Sequence, residues 1–129
     1  MAMRLDHIVL TVRSISATVD FYARALGFRA ETVEGRTALH FGEHKINLHE
    51  VGREFSPRAR LAAAGTGDFC LTTAEPVEVI AERLRAQGIA IEDGPAARTG
   101  ARSPLWSIYF RDPDENLVEV ANERAAATP

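Results

Sequence analysis

Four residues from separate stretches of the chain carry side chains suited to holding a divalent cation: His7, His49, Asp68 and Glu119. No local spacing unites them, so a fold has to. Two imidazoles and a carboxylate suit Fe(II), Mn(II), Ni(II) or Zn(II), with positions left open for substrate or water. Glu119 lies between Val118 and Val120 in a strand-like run. Burying a carboxylate there calls for a positive partner, either an arginine or a metal ion. Asp68 is open to three roles: ligand, acceptor orienting a histidine, or simply the first polar residue of its strand. His40 and His44 lie near a turn and read as structural or surface residues. Glu50 has the parity opposite to His49 and reads as solvent-facing. Cys70 shares the parity of Asp68 and reads as a small core residue rather than a nucleophile.

The elements that must position these residues occur twice. Leu5-Asp6-His7-Ile8-Val9-Leu10-Thr11-Val12 reads as a strand followed by a helix, and Gly67-Asp68-Phe69-Cys70-Leu71-Thr72-Thr73 repeats that opening. Superposing the halves puts His7 on Asp68, and Asn47-Leu48-His49-Glu50-Val51 echoes Asn116-Leu117-Val118-Glu119-Val120. In the first half, Ser14 or Ser16 starts a helix whose stripe is Ile15, Val19, Tyr22 and Leu26, and Gly27 ends it. Strands are expected at 28–33, 37–41 and 45–50. The stretch from Gly52 to Gly67 loses the pattern and reads as a linker holding Phe55, a residue able to cap a pocket. In the second half, Pro76 opens a helix with Val77, Ile80 and Leu84 buried, and Gly88 closes it. A short strand at 89–91, a loop at 92–104, and strands at 105–110 and 116–121 complete the pattern. The fold class is α+β, with two βαβββ modules forming a cupped mixed sheet. One domain spans 4–122, made of modules 4–51 and 67–122, and 123–129 is a flexible tail.

Alternation along each strand separates an aliphatic face for the helix from an open face. His7 shares a face with Val9 and Thr11, Asn47 with His49, and Leu117 with Glu119. A chain of 129 residues with a formal charge of −3 lacks the basic footprint of a nucleic-acid binder. No apolar run approaches the roughly 18 residues of a membrane helix. The N-terminus enters its first strand at once, so no signal peptide is expected. A single cysteine excludes an intrachain disulfide and fits a reducing, cytoplasmic setting.

These motifs together resemble the vicinal oxygen chelate superfamily, the group of glyoxalases, fosfomycin- and bleomycin-resistance proteins and extradiol dioxygenases. The carriers are Leu5-Asp6-His7, Asp20-Phe21-Tyr22 with Leu26-Gly27-Phe28, and Arg111-Asp112-Pro113-Asp114 with Asn116-Leu117-Val118-Glu119. Lys45-Ile46-Asn47-Leu48-His49 and Gly94-Pro95 with Arg98-Thr99-Gly100 look like a narrower glyoxalase-domain or virulence-protein-like subgroup. The resemblance implies a homodimer and a divalent metal held by residues of the first, fourth, fifth and eighth strands. His7 matches the first-strand histidine and Glu119 the eighth-strand glutamate. The chain departs from the pattern at Asn47, where glyoxalases have glutamate, at Asp68, where many members have histidine, and at Glu115, where glycine is usual. Asn116 is expected to absorb any positive φ of that last turn.

The chemistry expected is a lyase or isomerase reaction on a small substrate that chelates the metal through adjacent oxygens, with Glu119 as catalytic base. A ring-cleaving dioxygenase and a fosfomycin-type thiol transferase are alternatives, the latter using Arg98 and Arg102 as cations. A metal-free protein that sequesters a drug or metabolite is a further alternative, with Trp106 and Phe55 as aromatic walls. Asn47 is a further candidate substrate contact.

Overall fold

The computed structural model describes residues 1–125. Its elements are β1 (His7–Val12), α1 (Ile15–Leu26), β2 (Arg29–Val33), β3 (Arg36–Phe41), β4 (His44–Glu50), β5 (Asp68–Thr72), α2 (Val77–Ala86), β6 (Asp93–Thr99), β7 (Pro104–Arg111) and β8 (Leu117–Glu123). They form two four-stranded sheets of the same strand order, β1-β4-β3-β2 and β5-β8-β7-β6. In each, the first and last strands run parallel and the remaining pairs antiparallel. The chain divides into two compact units, one of residues 1–67 with 112–116, the other of residues 68–111 with the chain from Leu117.

In the first unit, Ser14 Oγ accepts from Ala17 N at 3.1 Å and starts α1, and Gly27 at φ 73° ends it. That left-handed turn is where glycine carries no Cβ penalty. The helix face buries Phe21, Tyr22 and Ala25, and Val12, Leu39, Ile46 and Leu48 of the sheet are buried with them. Tyr22 stacks on Phe28 at 5.7 Å, and Phe28 on Phe41 at 4.4 Å. In the second unit, the α2 residues Val77, Ile80 and Leu84 and the sheet residues Ile108, Phe110, Val118 and Val120 are buried. Each buried side chain of this size is worth about 1.5–3 kcal/mol over exposure.

Several expectations change. The strand foreseen at 89–91 is absent, and most of the stretch foreseen as a loop is β6. Gly and Pro disguised it, yet Gly94 at φ 93° sits where a Cβ would fall on the Ser107 carbonyl, so β6 joins β7 through an irregular start. Pro76 precedes α2 rather than lying inside it. Glu115 itself takes the positive φ of the last turn, at 69°, leaving Asn116 to hydrogen-bond. Of the expected tail, Glu123 ends β8 and Arg124 N donates to Pro104 O at 2.8 Å. Residues 126–129 lie outside the described residues.

Candidate functional site

On the open face of the first sheet, register decides which residues are neighbours. His7 pairs with Lys45, Val9 with Asn47 and Thr11 with His49. His7 and His49 are therefore four residues apart along parallel strands, about 13 Å at a strand's rise. With metal–nitrogen bonds near 2.1 Å, one ion does not suit both rings. Asn47, two residues beyond the partner of His7, is the nearer donor.

The second sheet repeats this relation. Asp68 pairs with Leu117, and Glu119 lies two residues beyond that partner, opposite Cys70. Asn47 thus stands to His7 as Glu119 stands to Asp68. The ungapped superposition, which matched Glu50 to Glu119, is off by three positions.

The environment of each candidate follows from its strand. His7 is exposed and its Nδ1 lies 2.7 Å from Asp6 Oδ1, so the opposite ring nitrogen, Nε2, is left for another partner. A carboxylate on one ring nitrogen is the usual companion of a ligating histidine. That hydrogen bond holds the Asp6 carboxyl below its ordinary range. His49 is 8% exposed and its Nδ1 is buried without a hydrogen-bond partner. Its ring meets Phe55 edge-on at 5.6 Å. Asn47 is half-buried and Asp68 exposed.

Glu119 sits between Cys70 of β5 and Tyr109 of β7. Cys70 is exposed rather than a core residue, yet partial desolvation of its thiol pushes it up to about 12, helped by the Glu119 charge and a hydrogen bond to it. Burial also raises the Tyr109 phenol, with Glu119 adding to the rise and the hydrogen bond from Arg98 opposing it. Arg98 Nε donates to Tyr109 Oη at 3.0 Å, while its Nη2 reaches Asp93 Oδ2 at 2.9 Å. Arg98 therefore supports Tyr109 and, through it, the carboxylate. Sequence reasoning overlooked Tyr109, although counting back from the last turn, where Arg111 faces Leu117, puts it opposite Glu119. His40, expected to be structural or surface, lies on the open face in the row of Lys45 and His7, with Glu31 at 3.8 Å.

Other candidates fall elsewhere. Trp106 pairs with Asn122, on the face covered by α2, and its Nε1 donates to Glu78 Oε2 at 2.7 Å. It is not on the open face beside Glu119, because alternation along β7 gives that side to Ser107 and Tyr109. Arg102 makes a two-pronged pair with Glu123 at 2.7 and 2.9 Å. Glu50 is half-buried rather than purely solvent-facing; its Oε1 accepts from Ile15 N at 3.2 Å, at the start of α1.

Among the described residues, no three His, Cys, Asp or Glu side chains group as a metal cage. In kind the donors of each face still suit a cation: an oriented imidazole with an amide oxygen on the first, two carboxylates on the second.

Paired βαβββ units with donors on the first and last strands of each sheet define a protein of the vicinal oxygen chelate type. The family model described as the Glyoxalase/Bleomycin resistance protein/Dioxygenase superfamily matches residues 4–120, and the chain belongs to that superfamily. It is 46% identical over 119 residues to the virulence protein STM3117 of Salmonella typhimurium, covering 92% of this chain and 83% of that protein. It is 41% identical to the glyoxalase domain-containing protein RDO1 of Mycosarcoma maydis, over 95% of this chain and 69% of that one. The crystal structure of STM3117 superposes with a TM-score of 0.94 at 44% identity, over 96% of this chain and 99% of the other. Lactoylglutathione lyase from Agrobacterium tumefaciens shares the fold, with a TM-score of 0.72 at 22% identity over 94% of each chain.

Proposed function

We propose that the chain is a divalent-metal-dependent enzyme of the lyase or isomerase type, acting on a small substrate with two adjacent oxygens. The observation that carries this reading is the repeated offset: Asn47 to His7 and Glu119 to Asp68, on the first and last strands of equivalent sheets. The donors offered to a divalent ion are His7 through Nε2 and Asn47 through its amide oxygen in the first unit, and the carboxylates of Asp68 and Glu119 in the second. Of the cations that two imidazoles would have suited, this oxygen-rich set favours Mn(II) or Fe(II) over Zn(II). When bound, the ion acts as a Lewis acid for charge developing on the substrate oxygens.

Glu119, through a carboxylate oxygen left free of the ion, is the base that takes a proton from the substrate carbon and returns it. Its carboxylate is oriented by Tyr109, whose hydroxyl is itself held by Arg98. Positioning of this kind lets a carboxylate meet its proton at hydrogen-bond distance. The thiol-transferase alternative asks for free cations, whereas Arg98 and Arg102 are both engaged with carboxylates. A cytoplasmic homodimer completes the reading, and sedimentation of the purified chain as a monomer at micromolar concentration would remove the dimer from it.

Elemental analysis of the purified chain tests the metal. Near-stoichiometric Mn or Fe, lost in both His7→Ala and Glu119→Ala, is the expected result. No bound metal, together with no thermal shift on adding any of these ions, would replace the enzyme by a metal-free binding protein.

A further inference from the structure

We propose that His49, Arg36 and Phe55 form a binding site for an organic carboxylate with an apolar or aromatic body. The site lies within the first unit and goes beyond the proposed reaction, since it stands whether or not a metal is bound.

Three features of one end of the sheet point to it. His49 lies more than nine-tenths buried, yet its Nδ1 has no hydrogen-bond partner. A buried polar atom in that state is rare, and a partner from outside the chain is one thing that completes it. Next, Arg36 is exposed, its guanidinium carbon is 4.2 Å from the centre of the Phe55 ring, and it enters none of the ion pairs of the described residues. Finally, Phe55 touches both groups, with the His49 ring edge-on at 5.6 Å.

The strands make this arrangement rather than chance. Thr37 faces Leu48 across β3 and β4, so Arg36 and His49 come next along the ladder, on the opposite face of the sheet from Leu48. Thr11, 8% exposed, flanks His49 from β1. Phe55 comes from the segment between β4 and β5, which holds no helix or strand and so can shift its ring.

The chemistry selects the ligand. An imidazole N–H and a guanidinium both donate to an oxyanion, and the planar fork of arginine matches a carboxylate. A ring already packed against both donors offers an apolar wall for the rest of the molecule. A bare inorganic anion would use the donors and waste the wall.

Calorimetric titration of the full chain, as purified and at fixed ionic strength, tests this with benzoate, acetate and inorganic phosphate as probes. Benzoate should bind saturably and at least tenfold more tightly than either acetate or phosphate. Arg36→Gln, which changes an exposed side chain, should weaken benzoate at least tenfold, and His49→Gln should do the same. Phe55→Ala should erase the advantage of benzoate over acetate. Failure of benzoate to saturate, binding unchanged in Arg36→Gln, or phosphate outranking benzoate would each overturn the proposal. The Arg36 and Phe55 variants keep the test decisive even if His49→Gln does not fold.

Discussion

Glu50 and Asn122 occupy equivalent places in the two sheets, each three residues beyond the donor position on the last strand, Asn47 and Glu119 respectively. Each also holds the start of its unit's helix: Glu50 Oε1 accepts from Ile15 N at 3.2 Å, and Asn122 Oδ1 from Val77 N at 3.0 Å. The first-turn amides of a helix have no partner within it, so an acceptor from the sheet fixes where the helix begins. This is an independent sign that Asn47, rather than His49, is the counterpart of Glu119.

From that equivalence, Glu50→Ala should lower stability by about 1 kcal/mol, as loss of a helix cap does, and Glu50→Gln by less. Asn122→Ala should cost more, because its Nδ2 also donates to Thr73 O at 2.9 Å and Glu75 O at 2.8 Å. Urea melts of the three variants check the order. Equal losses in Glu50→Ala and Asn122→Ala would contradict it.

The metal reading separates His49 from the donors. Asn47→Ala should lose most of the metal found in the parent, while His49→Ala should keep it. Both positions lie on the open face, so the contrast reads register rather than general damage. Retention in Asn47→Ala with loss in His49→Ala would restore the histidine as a ligand, against the four-residue separation from His7.

Much of the fold is legible in the sequence. Helix stripes such as Val77, Ile80 and Leu84 have one period, and strand alternation has another, so element type followed from pattern. What parity could not supply was register. His7 and His49 share an open face in either view, yet their separation along it is set by how β1 pairs with β4. Trp106 is a different case: its parity with Ile108 and Phe110 already assigns it to the helix face, and only the bond to Glu78, from a helix remote in sequence, needs the structure. β6 was missed because Gly94, Pro95 and Gly100 mark turns in isolation, whereas β7 supplies the partner that makes a strand of them.

The placement of Trp106 makes it a reporter on the α2 side. Glu78→Gln should shift the emission of this tryptophan, the single one in the chain, by weakening the bond to Nε1. Trp106→Phe should leave metal content and benzoate affinity within twofold of the parent. A tenfold loss of either in Trp106→Phe would return the residue to the open face.

Tyr22 and Asp112 give the last prediction. The phenol donates to Asp112 Oδ2 at 2.7 Å, and the same oxygen accepts from Asn116 Nδ2 at 2.8 Å. The other oxygen, Oδ1, accepts from Asp114 N at 2.9 Å and Asn116 N at 3.0 Å. Asp112→Ala leaves several buried donors unpaired and should cost ~3 kcal/mol or more, while Tyr22→Phe removes one bond and should cost about 1–2 kcal/mol. Burial, then the Asp112 charge, pushes the Tyr22 phenol far above its ordinary value. The folded chain therefore keeps that proton where the unfolded chain loses it, near pH 10. With the folded value raised, the contribution is complete below about pH 10 and falls as pH rises beyond it. Stability measured from pH 9 to 12 should drop more steeply for the parent than for Tyr22→Phe. Parallel curves for the two proteins would mean that another group sets the alkaline limit.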